Sequence, residues 1–428
     1  MTLIGKLKEI PYWLDPPILT ESWAGRSLPQ KTDVLVVGSG YTGTTAAIRL
    51  RQAGAQVVLI DREKLGTTAS ARNGGMTLTG LTQGVASAEK KLGRETVKRL
   101  FTEALESVDT VERIVAEGKI DCYFQRYGHL EAAFKPSHFE QLKHEQEYLA
   151  SHFNHETKLI PPGDLPAEIG SALYHGALLD PVSAGVHPAK YIAGLVSMAD
   201  QAGVELHEEV TAERIERRGS KFTVQTNRGE IVADNVIVAT NGYTGRLTPW
   251  IQRRLVSTRS LMIATAELPG HLAQSLIPKG RMIFDTKIFL YYFRLSPDGK
   301  RLLFGGRPKS PSKSLRQNAG FMHRHLLQVY PQLKDIQIEY GWWGKLGFTR
   351  DRSPHIGRHE GYYYALGYCG HGVAMATYFG EKLAEMALGR ETRTAFADLK
   401  FHAIPLYNGK AWFRPILYSY FGIKDRFF

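Results

Sequence analysis

At 428 residues the chain is longer than one ordinary hydrophobic core serves, and its 43% hydrophobic and 22% charged residues are the proportions of a globular protein with apolar side chains enough for two cores. A net charge of +12 attracts anions in general, but the Lys and Arg residues are dispersed, which argues against a nucleic-acid partner and leaves a phosphate-rich cofactor, an acidic small molecule or a membrane surface. The only cysteines, Cys122 and Cys369, form no C-x-x-C and no disulfide framework; the N-terminus lacks a signal-peptide pattern, and no apolar run nears the roughly 20 residues that span a bilayer, so a reducing, cytoplasmic setting is expected.

Residues 1–29 carry Pro11, Pro16, Pro17 and Pro29 and read as an extended lead-in, pinned to the body by Trp13 and Trp23. Residues 33–37 form a short apolar run, as a buried parallel strand does. A helix over 42–53 and a second apolar strand over 56–60 complete a βαβ unit. Helical periodicity follows over 86–118, 137–153 and 188–202, and short strands near 221–226, 230–233 and 235–239. Residues 250–340 alternate apolar and polar between turn signals such as Ser296-Pro297-Asp298-Gly299 and read as antiparallel hairpins. A strand at 362–366, a glycine-rich turn and a helix over 373–388 end the regular part. The tail, 401–428, is aromatic and basic, with Trp412, Phe413, Arg414, Tyr418, Tyr420, Phe421, Lys424, Arg426, Phe427 and Phe428. Such a tail either rests on a membrane surface or packs across the body, and packing is the reading adopted.

Gly38-Ser39-Gly40-Tyr41-Thr42-Gly43 joins the first strand to its helix. Gly38 permits the tight turn, Gly40 lets backbone approach a diphosphate, and Gly43 lets helix and strand pack closely. The helix N-terminus then offers N–H groups and positive dipole to the anion. Asp61 follows Gly43 by 18 residues, at the end of the second strand, where a carboxylate holds ribose hydroxyls. This element serves FAD and NAD alike, and the choice rests on residues downstream.

Those residues are Thr67-Thr68-Ala69-Ser70-Ala71-Arg72-Asn73-Gly74-Gly75, and towards the C-terminus Trp342-Trp343-Gly344, Thr349-Arg350-Asp351-Arg352-Ser353-Pro354, Ile356-Gly357-Arg358 and Gly367-Tyr368-Cys369-Gly370-His371-Gly372-Val373. With Tyr12-Trp13, Ala239-Thr240-Asn241-Gly242-Tyr243, Tyr292-Phe293-Arg294 and Phe304-Gly305-Gly306-Arg307, the chain resembles the FAD-dependent glycine/D-amino-acid oxidase family. Within it the likeness is greatest to the gamma-glutamylputrescine oxidase-like branch, with Ala71 standing where that branch has glycine. The resemblance covers nearly the whole chain. It implies an α/β fold: a Rossmann-like, GR2-type FAD-binding domain from 30–85, 180–245 and 340–400, and a second α+β substrate domain on an antiparallel sheet from 86–179 and 246–339. Residues 1–29 and 401–428 would be terminal extensions packed on the body.

The resemblance further implies FAD contacts from Gly38, Ser39, Gly40, Tyr41, Thr42 and Gly43, from Asp61 and Arg62, and from Ser70, Arg72, Asn73, Gly74, Gly75 and Met76. Val210, Ala239, Thr240, Asn241 and Gly242 would add others, as would Gly370, His371, Gly372, Val373 and Ala374, since in relatives that last turn opens a helix facing the flavin ring. Candidates for the reaction are Arg72, Tyr292, Arg294 and His371; alternation puts Tyr292 and Arg294 on one strand face, where Arg294 could hold a substrate carboxylate. Sarcosine-type relatives anchor the ring on a cysteine where Gly344 stands here, so FAD is expected to be non-covalent. They also carry a lysine shortly after the G-H-G turn, where this chain has Val373-Ala374-Met375, which argues against sarcosine. The implied reaction is oxidation of the C–N bond of an amine or amino acid by hydride transfer to flavin N5, hydrolysis of the imine, and reduction of oxygen to hydrogen peroxide. A quinone-linked dehydrogenase on a membrane surface is the alternative, and a flavin-dependent RNA-modifying protein a more distant one. No metal is implied.

Overall fold

In the computed structural model, which describes residues 5–308, 313–390 and 393–427, the apolar run Lys31–Val37 is the centre of a sheet. Val34, Leu35 and Val36 are buried, so both faces of the strand must be covered, as in a parallel sheet with helices on each side. The sheet runs in the order His355–His359, Tyr362–Leu366, Gly229–Val238, Lys31–Val37, Val57–Ile60, Glu205–His207. Every pair on that path is parallel except His355–His359 with Tyr362–Leu366. The two short strands expected at 230–233 and 235–239 are one, because Gly229–Val238 pairs with Lys221–Thr226 over its first half and with Lys31–Val37 over its second.

One core joins the helices Tyr41–Gln52, Arg94–Glu117, Pro188–Gln201 and Gly372–Ala387. The helical stretch expected over 86–118 breaks at Gly93, whose φ of +79° separates Val85–Leu92 from Arg94–Glu117. Leu100, Ala104, Val108, Val111 and Ile114 recur at helical spacing and bury in this first core. Arg94–Glu117 therefore packs with the nucleotide-binding layer, not with the second domain to which its place in the chain had assigned it. Trp13 and Trp23 are buried in the same core and anchor the lead-in; Trp23 Nε1 donates to Asp200 Oδ1 at 3.0 Å.

The second sheet runs Ile338–Phe348, Val256–Thr265, Leu302–Gly306, Tyr292–Leu295, Met282–Asp285, His129–Ala132, Ala177–Asp180, Lys158–Ile160. It is antiparallel except where Met282–Asp285 meets His129–Ala132. The boundary expected at 340 falls inside Ile338–Phe348, which pairs with Val256–Thr265 along its length. Within 250–340 the hairpin reading missed Leu315–Val329, a helix whose Leu315, Ala319, Met322, Leu326 and Val329 bury against this sheet. Ser314 and Gln317 close a capping box at its start, a signal present in the sequence.

The tail packs on the body as the helix Arg414–Phe427. Tyr418 OH meets Thr258 Oγ1 at 3.3 Å, Arg414 donates to Ser257 O, and the Asp425 carboxylate accepts from Ile288 N and Phe289 N at 2.7 and 2.9 Å. Of the tail residues named above, Phe428 and the side chains of Arg426 and Phe427 lie outside the described residues. No described helix is long and apolar enough to cross a membrane.

Tyr41–Gln52 and Gly372–Ala387 cross in close contact at Gly380. A Cβ there would stand 2.7 Å from Thr42 O and 2.6 Å from Thr45 Cβ. Replacing Gly380 with Val forces the two helices apart, and overpacking of this kind costs about 1–3 kcal/mol. The expected result is a lower melting temperature together with a lower flavin-to-protein absorbance ratio after purification; a variant unchanged in both would show that the crossing does not set the site.

Candidate cofactor and active site

Two helices begin at the same cavity, of about 1520 Å³. The first follows the strand Lys31–Val37. Gly38 has φ +111° and a Cβ on it would meet Ala239 O at 2.8 Å; a Cβ on Gly43 would meet Gly38 O at 1.9 Å. Gly43 is thus a packing glycine and does not line the cavity, whereas Gly38, Gly40, Tyr41 and Thr42 do. Gly40 is the N-cap of Tyr41–Gln52 and supplies no side-chain cap. Tyr41 N donates to Ser70 Oγ at 3.1 Å, while among the described residues no acceptor meets the N–H of Thr42 or Gly43.

The second helix, Gly372–Ala387, starts after Gly370, at φ +103°, with His371 as N-cap and again no side-chain cap. Gly370, His371, Gly372 and Val373 line the cavity; Ala374 is buried in the first core. Thr42 Oγ1 and Tyr368 OH lie 2.6 Å apart and tie the two turns together. Two uncapped N-termini place positive potential on one cavity, which fits a cofactor carrying a diphosphate and a ring system that becomes anionic on reduction.

The surrounding segments complete the cradle. Asp61 Oδ2 accepts from Ser39 N and Ser39 Oγ, both at 2.8 Å, so Ser39 serves the cavity through Asp61 and does not line it. Arg62 lies beside Asp61 on the wall, its guanidinium 5.4 Å from the Tyr243 ring centre. Val210, also on the wall, donates its N–H to Asp61 O at 2.8 Å. Ala239, Thr240 and Asn241 line the cavity; Gly242 does not, since a Cβ there would press on Leu346 at 3.0 Å. Asn241 Oδ1 accepts from Gly367 N at 3.0 Å and links this segment to the C-terminal turn.

Ser70, Arg72, Asn73, Gly74 and Met76 form one wall. Asn73 holds their loop in shape: Nδ2 donates to Ser70 O and Ala69 O at 2.9 and 3.1 Å, and Oδ1 accepts from Gly75 N at 2.8 Å. Arg72 Nε donates to Thr67 O at 2.9 Å, and Arg72 O accepts from Trp342 Nε1 at 3.0 Å. Gly75 is internal; its φ is +66°, and a Cβ would stand 2.2 Å from Val186 O.

Arg294 departs from expectation. It shares a strand face with Tyr292, as alternation requires, but the loops at 73–76 and 184–186 cover it. The side chain is 2% exposed, does not line the cavity, and donates to Gly75 O at 2.9 Å, Val186 O at 3.1 Å and Leu295 O at 3.1 Å. Burial lowers its pKa to about 10, which leaves it charged at neutral pH. It fastens the cofactor loop to the second sheet and is not placed to meet a substrate carboxylate.

Tyr292 does line the cavity, with its OH 2.8 Å from Ser260 Oγ, and burial pushes it up to about 12. His371 Nδ1 lies 3.3 Å from Thr82 Oγ1; burial, and then the proximity of His129 and Arg352, lowers it to about 4, so its ring is neutral at physiological pH.

The opposite wall was missed from sequence. His129, Glu131 and Asp180, from adjacent strands, line the cavity. His129 Nδ1 lies 2.8 Å from Ser183 Oγ; Thr79 Oγ1 donates to Asp180 Oδ2 at 2.6 Å, and His155 Nε2 meets the same oxygen at 2.8 Å. Although burial opposes ionisation, these contacts hold Asp180 down to about 2. The alternation of His129 and Glu131 with apolar Leu130 and Ala132 was the available signal. Arg259 and Lys345, also missed, stand opposite one another in register on the cavity wall, and Phe413, Leu417, Tyr418 and Phe421 of the tail close one end.

Comparison with known proteins agrees with this geometry. The FAD dependent oxidoreductase model, DAO, matches residues 33–386. The chain is 33% identical to a probable oxidoreductase OrdL of Rhizobium meliloti, over 97% of this chain and 100% of that protein. It is 31% identical to the gamma-glutamylputrescine oxidoreductase of Escherichia coli, over 92% of this chain and 93% of that protein. Among solved structures, glycine oxidase from Geobacillus kaustophilus superposes with a TM-score of 0.73 at 18% identity, over 87% of this chain and 99% of that one, a likeness of fold. The chain belongs to the DAO family of FAD-dependent oxidoreductases.

Proposed function

We propose that the protein oxidises the C–N bond of a small amine or amino acid, with non-covalently held FAD and with oxygen as electron acceptor. One observation carries the reading: a single cavity is lined both by the two helix-opening turns, whose N-cap residues supply no side-chain cap, and by the sheet residues Tyr292 and His129. Full-length similarity to a gamma-glutamylputrescine oxidoreductase supports the amine class. FAD, when bound, supplies the two-electron oxidant.

The residues of the chain then have separate tasks. The turn at 38–43 and Asp61 hold the dinucleotide, and the turn at 370–373 faces its ring with positive dipole. The resemblance sets Gly344 near the place where sarcosine-type relatives have the attaching cysteine. Cys369 lines the cavity, but its thiol is buried and pushed up to about 11, donates to Gly367 O at 3.1 Å, and is a poor nucleophile. Tyr292, fixed by Ser260, and neutral His371 orient the amine without placing a positive charge beside it. An amine must lose its proton before it is oxidised; His129, whose pKa burial also lowers, lines the same cavity and adds no positive charge that would oppose that loss. The tail helix shields one end of the cavity from water.

Anaerobic titration of the purified yellow protein with amine and amino-acid pools tests the reading. The expected result is bleaching of the flavin by an amine pool, with colour and hydrogen peroxide appearing on admission of air. Bleaching that air does not reverse would replace oxygen by another acceptor, and a flavoprotein that no pool bleaches would overturn the amine assignment. Arg294→Met separates fastening from substrate contact. It removes the donor to Val186 O and one of the two donors to Gly75 O, which keeps Val186 N at 2.8 Å, so a stability loss of about 1–3 kcal/mol is expected in chemical denaturation. A variant of wild-type stability with a raised KM would restore Arg294 to the substrate.

A further inference from the structure

The helix Arg414–Phe427 has two unlike sides. Leu417, Tyr418 and Phe421 recur at helical spacing and close one end of the cavity, on the same side as the Asp425 carboxylate that accepts from Ile288 N and Phe289 N. Ile416, Tyr420 and Ile423 recur at the same spacing on the opposite side and are 69%, 59% and 57% exposed. The chain leading into the helix leaves Leu406 and Trp412 exposed as well, and the loop that Asp425 holds leaves Ile288 and Leu290. Apart from Ile10 and Tyr123, these segments carry every large hydrophobic side chain left exposed among the described residues. Scattered singly, such side chains need no explanation; gathered at one place they mark a surface that meets something apolar.

The rim of this patch is basic. Lys410, Lys424 and Arg253, whose carbonyl accepts from Ile404 N at 2.9 Å, are exposed, and none pairs with an acid among the described residues. Residues 401–428 hold Lys410, Arg414, Lys424 and Arg426 and a single acid, Asp425, which faces inward. A second copy of the chain would bring the same cations to a shared interface, where they would repel. An anionic bilayer meets both the stripe and the rim. It offers an apolar boundary for Ile416 and Ile423, a headgroup layer for the amphipathic rings of Trp412 and Tyr420, and negative charge for the cations.

We infer that the outer face of the tail helix docks the protein on the surface of an anionic lipid bilayer, with the helix lying in the plane of the headgroups. No described helix is long and apolar enough to cross a membrane, so the contact is peripheral. The packing of the tail and its contact with lipid use opposite faces of one helix. Because the inner face closes the cavity, docking sets that end of the cavity against the membrane.

The test is co-sedimentation of the FAD-loaded, full-length protein with vesicles of phosphatidylcholine alone and of phosphatidylcholine mixed with an equal part of phosphatidylglycerol. The expected result is binding to the mixed vesicles, weakened by added salt, and far weaker binding to phosphatidylcholine alone. Ile416→Ser combined with Ile423→Ser lowers the affinity for mixed vesicles roughly tenfold or more, and Lys410→Gln lowers it about fivefold. The double variant keeps the wild-type melting temperature and flavin content, since both side chains are already exposed and lie outside the cavity. Protein that stays in the supernatant with mixed vesicles at low salt would overturn the docking, with no variant needed. Binding that survives the double substitution would overturn it too, because dispersed positive charge alone would then account for it. A concentration-dependent dimer that the same substitutions dissolve would give the face to a second copy of the chain and take it from the bilayer.

Discussion

Two helices whose N-cap residues supply no side-chain acceptor cannot both face one cavity at no cost unless negative charge meets them there. Their first N–H groups and their dipoles need negative charge, and in this protein both needs converge on one space. Gly380 lets the helices cross at backbone contact, and the Thr42–Tyr368 hydrogen bond locks their first turns together. The parallel sheet fixes where each helix begins, since Lys31–Val37 and Tyr362–Leu366 both flank Gly229–Val238. Every other part of the site is arranged around that pair of positive ends.

The second sheet supplies the other side. It works by alternation: the residues that face the cavity come from one face of each strand, while their neighbours, such as Leu130, Ile283 and Phe293, fill the core behind. Arg294 shows how the two halves are joined. A buried guanidinium is costly unless its donors are used, and here three carbonyls take them, two from loops of the cofactor side. The charge expected to meet substrate instead holds the loop at 73–76 in place.

Much of the cofactor side was legible because it is local. The G-x-G-x-x-G turn, Asp61 and the G-H-G turn each need particular backbone or side-chain chemistry within a few residues, and the sequence shows it. The substrate side was much less so. Alternation correctly put Tyr292 and Arg294 on one face, but it says nothing of which loop lies over that face. His129, Glu131, Glu145 and Asp180 come from three separate stretches, and only the fold brings them to one wall. The helix Leu315–Val329 was lost among hairpins although its capping box and its helical spacing were in view. Arg94–Glu117 was misplaced because chain order, and not its buried stripe, was used to assign it.

The central claim is that both helix N-termini serve one cofactor, and a crystal structure of the FAD-loaded protein tests it most directly. The account predicts diphosphate density within hydrogen-bonding distance of the Thr42 or Gly43 N–H, and the flavin ring bounded by the turn at 370–373 on the Tyr292 side of the cavity. Flavin density that leaves either N-terminus facing solvent, or that lies across the wall of Glu131 and Glu145, would contradict it.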